Sequence, residues 1–421
     1  MNDLFSLSSK VLELVVEQKV SFNLAVNNET KDLKISKNEK NIISSLVGCS
    51  LRHYYIFNYL ISTYLKPKDN QIRYHSFIYL ANNLFVNKIV DGDSYYKRFI
   101  ATHDVNLDDF NDFLSKTKDK TNLIPIEYEK GSIEFLSYRF NTPSWVIKMW
   151  KKHFNDNLTY RILKGNSKSK KKVYCLNKKL ITEEELLEKY PDFHKTSFTN
   201  LYSYDGTNNI KSLSLYRENY LFSSSASSQL IIEKTDIDPL RGVAIYSGYS
   251  NHFFIDLIAN FNFYNNKIEL MVGDNPTYLH AKNLIQKLNI DNVSLYECKP
   301  SSMITCLSSK VHTLFVFPEN SNFAMLRDYP DYFFKVENIN LDELIEKQSI
   351  ALDESAPFVE DGGQLIYAVP TINIKESRMI IKKFLSSHND FELIMDKQLF
   401  PFDKYDSTLY FAILRKKDNN D

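Results

Sequence analysis

Near residue 236 the chain changes its grammar. From there to the C-terminus, short apolar runs alternate with helix-length segments. Gly242 to Gly248 reads as a buried strand and Lys267 to Gly273 as a second, followed by a helix from Pro276 to Leu288. Val293 to Glu297 is a third strand and Val311 to Phe317 a fourth. A helix covers about 340 to 357, after which Gly362-Gly363 is expected to turn into a strand from Gln364 to Val369. A helix near 375–387 and a closing pair of strands around 391–397 and 408–415 complete the pattern. Continuous apolar strands separated by helices need cover on both faces. The rhythm therefore predicts a mostly parallel, doubly wound, Rossmann-like α/β sheet over residues 226–421.

The first 125 residues follow a different period. Leu4, Leu7, Val11, Leu14 and Val15 recur at helical spacing, and Ile42, Ile43, Leu46, Leu51, Tyr55, Phe57, Leu60 and Ile61 continue it. With few prolines and no strand-like alternation, an all-helical domain over residues 1–125 is expected. A connector at 121–132 leads to a smaller middle region, 132–225, which opens with Arg139-Phe140-Asn141-Thr142-Pro143-Ser144-Trp145. Thr142 before Pro143 predicts an N-cap with proline at the first helical position.

Composition limits the function. The 421 residues carry 52 basic and 52 acidic side chains, so any nucleic-acid face must come from local clustering. The clearest cluster is the loop Lys164 to Lys172, where Lys168, Lys170, Lys171 and Lys172 are candidate phosphate contacts; Arg139 and Lys148 are further ones. No apolar stretch reaches the ~18–20 residues of a membrane span, and Met1-Asn2-Asp3-Leu4 lacks the basic start of a signal peptide. Cys49, Cys175, Cys298 and Cys306 form no C-x-x-C pair, which argues against a zinc site or a disulfide framework and fits a reducing cytoplasm. With 10 glycines in all, glycine-rich cofactor loops cannot be plentiful.

Several segments in order resemble the Nop/Sun family, in particular bacterial small-subunit (16S) rRNA cytosine-C5 methyltransferases with an N-terminal antiterminator-like (NusB-like) helical domain. Gly362-Gly363-Gln364-Leu365-Ile366-Tyr367-Ala368, followed by Ile372 to Ser377, is similar to the family's Gly-Gly-x-Leu-Val-Tyr strand and next helix start. Phe140 to Trp145 resembles its His-Pro-x-Trp. Ala226-Ser227-Ser228-Gln229 resembles the lead-in to its catalytic domain, and Arg327-Asp328-Tyr329-Pro330-Asp331 its Arg-Arg-x-Pro-Asp. The hairpin-like ending resembles the sheet of S-adenosylmethionine-dependent methyltransferases. The resemblance implies a monomer acting on RNA, with S-adenosylmethionine as cofactor if the pocket is retained.

It also shows what is missing. Cytosine C5 is too weak a nucleophile to take a methyl group until a thiolate adds to C6, and a second cysteine assists product release. The family's nucleophile stands in a Thr-Cys turn after the Tyr strand; this chain has Val369-Pro370-Thr371, with Pro370 at that place. The second cysteine belongs to an Asp-Ala-Pro-Cys loop; here Val316-Phe317-Pro318-Glu319 keeps Pro318 and puts Glu319 at the cysteine. The cofactor loop, Pro-Gly-Gly-Lys in the family, reads Ser247-Gly248-Tyr249-Ser250-Asn251-His252-Phe253. Gly273 stands where a ribose-binding acid belongs, with Asp274 one place on, facing the other way in a strand. The lead-in Gln-Asp is Ser224-Ser225, and of an Arg-x-Asn only Asn177 remains. The weak cofactor candidates left are Gly248, Ser250, Asp274 and Pro318. Cys298 and Cys306 read as small buried hydrophobes. Three readings follow: an RNA-binding protein without methyl transfer, an active divergent methyltransferase, and a protein-interaction scaffold.

Overall fold

A computed structural model describes residues 3–87, 89, 91–125, 127–168, 172–248, 267–336, 339–403 and 408–418. The chain divides into two compact units, Met1–Ser167 with Leu326–Ile339, and Lys168–Met325 with Asn340–Asp421.

The first unit is helical. It contains α1 (Leu4–Val16), α2 (Phe22–Thr30), α3 (Lys37–Arg52), α4 (Tyr54–Leu60), α5 (Asn70–Ala81), α6 (Gly92–Ala101), α7 (Leu107–Lys116), α8 (Ile133–Phe140), α9 (Ser144–His153) and α10 (Asp156–Asn166). The starts are chemically marked. Asp3 accepts the N–H groups of Phe5 and Ser6 at 3.1 Å each. Ser36 and Glu39 form a reciprocal capping box at the head of α3. α1, α3 and α5 pack on one another around Val11, Leu46, Phe57 and Phe77, all fully buried. Nine of the twelve residues of α5 are buried, so it is the centre of this bundle rather than an amphipathic surface helix. The segment Leu326–Ile339 returns to this core: Phe334 meets Tyr54 edge-on at 4.7 Å, and the buried Asp331 carboxylate accepts the Phe22 N–H at 3.0 Å.

The expected cap at Thr142 is corrected by the structure. The residue before α9 is Pro143, which has no side chain to cap with, and Thr142 is buried with its hydroxyl donated to the Phe140 carbonyl at 3.1 Å.

The second unit begins with four short strands that the sequence did not disclose: β1 (Val173–Leu176), β2 (Phe193–Lys195), β3 (Leu201–Tyr204) and β4 (Leu221–Ser224). They form an antiparallel sheet in the order β2-β3-β1-β4. Runs of three or four residues are too short for a two-residue period to be read. α11 (Glu183–Lys189) and α12 (Ser214–Arg217) accompany this sheet, and α13 (Ala226–Lys234) follows it.

The rest is the expected α/β sheet: β5 (Val243–Ser247), β6 (Ile268–Val272), α14 (Asn275–Lys287), β7 (Val293–Glu297), β8 (Val311–Phe317), α15 (Leu341–Ser355), β9 (Val359–Val369), α16 (Arg378–Ser387), β10 (Phe391–Leu399) and β11 (Leu409–Lys416). Its order is β10-β11-β9-β8-β5-β6-β7, with β5 to β9 paired parallel and β11 antiparallel to both neighbours. Both faces of its central strands are buried. Ile245, Leu270, Phe315 and Ile366 enter one core, while Ala244, Tyr246, Met271, Val316 and Tyr367 enter the other. Gly362-Gly363 is not a turn before β9 but a bulge inside it: Gly362 has φ +73°, and the register against β8 shifts between Val311 and Thr313. No helix among the described residues is long and apolar enough to cross a membrane.

Candidate functional site

Successive strands β5, β6 and β7 run outward to one side, and the chain then crosses back to place β8 on the other side of β5. In an open α/β sheet the crevice beyond the carboxyl ends of strands at such a reversal is where ligands sit. The fold brings Gly248, Gly273 and the Pro318–Glu319 segment together there. The Gly248 N–H donates to Phe317 O at 2.7 Å, and the Gly273 N–H donates to Ser247 O at 2.9 Å. A Cβ on Gly248 would fall 2.3 Å from the Glu319 nitrogen and 2.8 Å from the Pro318 carbonyl carbon. Gly248 therefore serves a backbone-to-backbone approach between the β5 and β8 loops. Ser250 lies outside the described residues, as do Tyr249, His252 and Phe253.

Asp274 heads α14. Its carboxylate accepts the Thr277 N–H at 2.8 Å and the Thr277 hydroxyl at 2.9 Å, so both oxygens are engaged in capping. Glu319 is pinned from α15: Lys347 stands 3.3 Å from its carboxylate, and the Gln348 amide donates to its backbone carbonyl at 3.0 Å. Glu343 first, then Glu319, raise the Lys347 ammonium above its ordinary range.

Pro370 is buried in the turn after β9, and its carbonyl accepts the Ala324 N–H at 3.1 Å. The loop after β8 and the turn after β9 are tied together from beneath by a residue sequence reasoning did not single out. Glu376 is fully buried, and its carboxylate faces five neutral donors. They are the Ser321 N–H at 2.8 Å, the Ser321 hydroxyl at 2.6 Å, and the Gln348 amide, Thr371 hydroxyl and Asn373 amide at 3.1 Å each. The Tyr367 hydroxyl donates to the Glu376 carbonyl at 2.8 Å, and burial followed by the Glu376 charge drives that phenol well above its usual range. A buried carboxylate persists only when its lone pairs are filled. In the sequence Glu376 looks like any charge at a helix start, so nothing local announced this role.

The thiols stand elsewhere. Cys49 is on α3, and burial pushes it up to about 12. Cys175 is buried in β1. Cys298 follows β7, its N–H donated to Val272 O at 2.8 Å. Burial, then its hydrogen bond to Cys306, push that thiol up to about 12, far from the thiolate a nucleophile needs. Of the basic candidates, Lys168 and Lys172 are exposed at the two ends of their loop, while Lys170 and Lys171 lie outside the described residues. Arg139 and Lys148 are exposed on α8 and α9. Asn177 is buried in a turn, its amide donated to Asn219 O at 3.3 Å.

No family model matches the chain. Over 81 residues it is 35% identical to a probable ribosomal RNA small subunit methyltransferase B of Bacillus subtilis strain 168, a stretch that is 19% of this chain and 18% of that protein. Among solved structures, PH0851 superposes with a TM-score of 0.73 at 15% identity over 99% of both chains. NSun6 from Pyrococcus horikoshii, solved with SFG, superposes at 0.57 and 10% identity, covering 66% of this chain and 99% of its own. Topology and superposition together define a Rossmann-like methyltransferase fold. Within that class, the chain is similar over those 81 residues to small subunit methyltransferase B and in fold to NSun6.

Proposed function

We propose that this protein binds RNA, small-subunit rRNA above all, as a monomeric cytoplasmic relative of the cytosine-C5 methyltransferases that has lost methyl transfer. The observation that carries the reading is the pair Pro370 and Glu319. They occupy the places where the resemblance puts the two cysteines, on loops clamped together through Ser321, Thr371 and Glu376. A ring-locked tertiary amide nitrogen and a carboxylate cannot add to C6 and leave again as a thiolate does. The cofactor side supports the same reading. S-adenosylmethionine would supply the methyl group, but the described residues fit it poorly: Asp274 is committed to a helix cap and Gly248 to loop packing. The helical region 1–125 and the middle region 132–225 are the parts to which we assign RNA contact.

Incubated with labelled S-adenosylmethionine and unmodified small-subunit rRNA, the purified protein is expected to leave the RNA unlabelled. Calorimetry is expected to show no binding at millimolar cofactor. Robust incorporation would overturn the reading in favour of an active divergent enzyme. RNA affinity is expected to survive in the same preparation. Replacing Lys168, Lys170, Lys171 and Lys172 together by alanine should flatten the plot of log affinity against log salt by up to about 3, since each phosphate contact contributes ~0.7 on a single strand. An unchanged slope would mean that the loop is merely solvated.

A further inference from the structure

We infer that the outer faces of α9 and α10 form a second contact surface for single-stranded RNA, with Trp145 as a base-stacking platform; this rests on the RNA-binding reading above. The chain as a whole is neutral, yet residues 144–167 hold five basic side chains, Lys148, Lys151, Lys152, Arg161 and Lys164, against one acid, Asp156. Asp156 is already turned to Lys151, at 3.4 Å, and the same ammonium reaches Gly131 O at 3.3 Å. Lys148, Lys152 and Lys164 are exposed and enter no ion pair among the described residues.

The second observation is aromatic. The chain has two tryptophans. Trp150 is fully buried between the helices, whereas Trp145 is 41% exposed on the opposite side of the same helix. Residues 145, 148 and 152 are three and four places apart, so Trp145, Lys148 and Lys152 share one face of α9. On α10, Tyr160 is 45% exposed beside Arg161 and Lys164, and its ring meets Phe140 edge-on at 5.6 Å, which limits its rotation. The inner faces are conventional core: Val146, Ile147 and Trp150 from α9 and Ile162 and Leu163 from α10 are fully buried. Flat rings interleaved with cations match a strand whose bases are splayed and whose phosphates run alongside. Duplex RNA hides its ring faces and would gain only the charge. An acidic protein would use the charge but not the stacking geometry.

The two tryptophans supply the test. Titrating the full chain with a single-stranded RNA oligonucleotide of mixed sequence is expected to quench the emission of exposed Trp145 while buried Trp150 continues to emit. In Trp145→Phe the quench should vanish. In Trp145→Ala affinity, followed by anisotropy of labelled RNA, should fall about tenfold, as loss of one stacked base implies. Lys148, Lys152 and Lys164 replaced together by alanine should lower the salt slope by about 2. The four-lysine loop variant should retain the quench. RNA binding with unchanged tryptophan emission and unchanged affinity in Trp145→Ala would overturn this surface while leaving the RNA-binding reading intact. Equal quenching by a duplex would overturn the stacking. Trp145-dependent self-association seen by light scattering without RNA would assign the face to protein contact and overturn the proposal. No RNA binding by any measure would overturn both.

Discussion

Replacing Glu376 by alanine is expected to lower stability by about 4 kcal/mol, a fall on the order of 10 °C in the melting temperature of the sheet-bearing unit. The magnitude follows from the donors left behind. The Ser321 N–H, the Gln348 amide and the Asn373 amide are held by backbone or packing and cannot turn away, and each unsatisfied buried donor costs about 1–3 kcal/mol. The Ser321 and Thr371 hydroxyls can rotate toward each other, already 3.1 Å apart, and recover part of the loss. Glu376→Gln should therefore be milder, about 1–2 kcal/mol: the two hydroxyls on Oε2 can accept from the new amide while Oε1 keeps the Ser321 N–H and the Gln348 amide, and only the Asn373 amide is left facing a donor. Urea melts of the two variants check both size and order. A loss below 1 kcal/mol for the alanine variant would mean that water reaches these donors. The consequence reaches the candidate site, since this carboxylate joins the loops that carry Glu319 and Pro370.

Gly248→Ala should cost about 3 kcal/mol with no cofactor present. The new methyl would meet main-chain atoms, the Glu319 nitrogen and the Pro318 carbonyl carbon, which cannot rotate aside as a flexible side chain would. Relief requires the β8 loop to withdraw, breaking the 2.7 Å bond from the Gly248 N–H to Phe317 O. Gly273→Ala is the control. Its nearest neighbours would lie at 3.5 Å or more, ordinary van der Waals contact, so it should fall within about 1 kcal/mol of the parent. Equal thermal shifts for the two variants would show that Gly248 is not kept for packing. A glycine that reads in sequence as the remnant of a cofactor loop would then have to be explained by something other than the contact between β5 and β8.

Much of this molecule was open to reading before any coordinates. The strands at 243–247, 268–272, 293–297 and 311–317 fall within a residue of where the apolar runs put them, because strands covered on both faces are largely apolar, and even the half-buried edge strand 293–297 keeps Val293, Leu295 and Tyr296. The helices Leu4–Val16, Lys37–Arg52 and Tyr54–Leu60 follow from apolar spacing. The site was legible only in negative form. Which side chain stands at a position is a covalent fact that no folding alters, so Pro370 and Glu319 could be weighed from the chain itself. What could not be read there is anything that depends on distant partners. Asp274 might have faced a ligand, but a threonine three places on captures it as a cap. Asp331 sits 309 residues from the Phe22 N–H it accepts, and with it Leu326–Ile339 joins the helical unit rather than the sheet that flanks it in sequence. Ser321 and Glu376 are 55 residues apart and meet only because β8 and β9 are neighbours. Local period and residue chemistry act within a few positions along the chain, and these determined most of the long elements and the side chains present at 370 and 319. Which buried charges are satisfied, and which loops are clamped, depends on chain topology, and only the tertiary structure decided it.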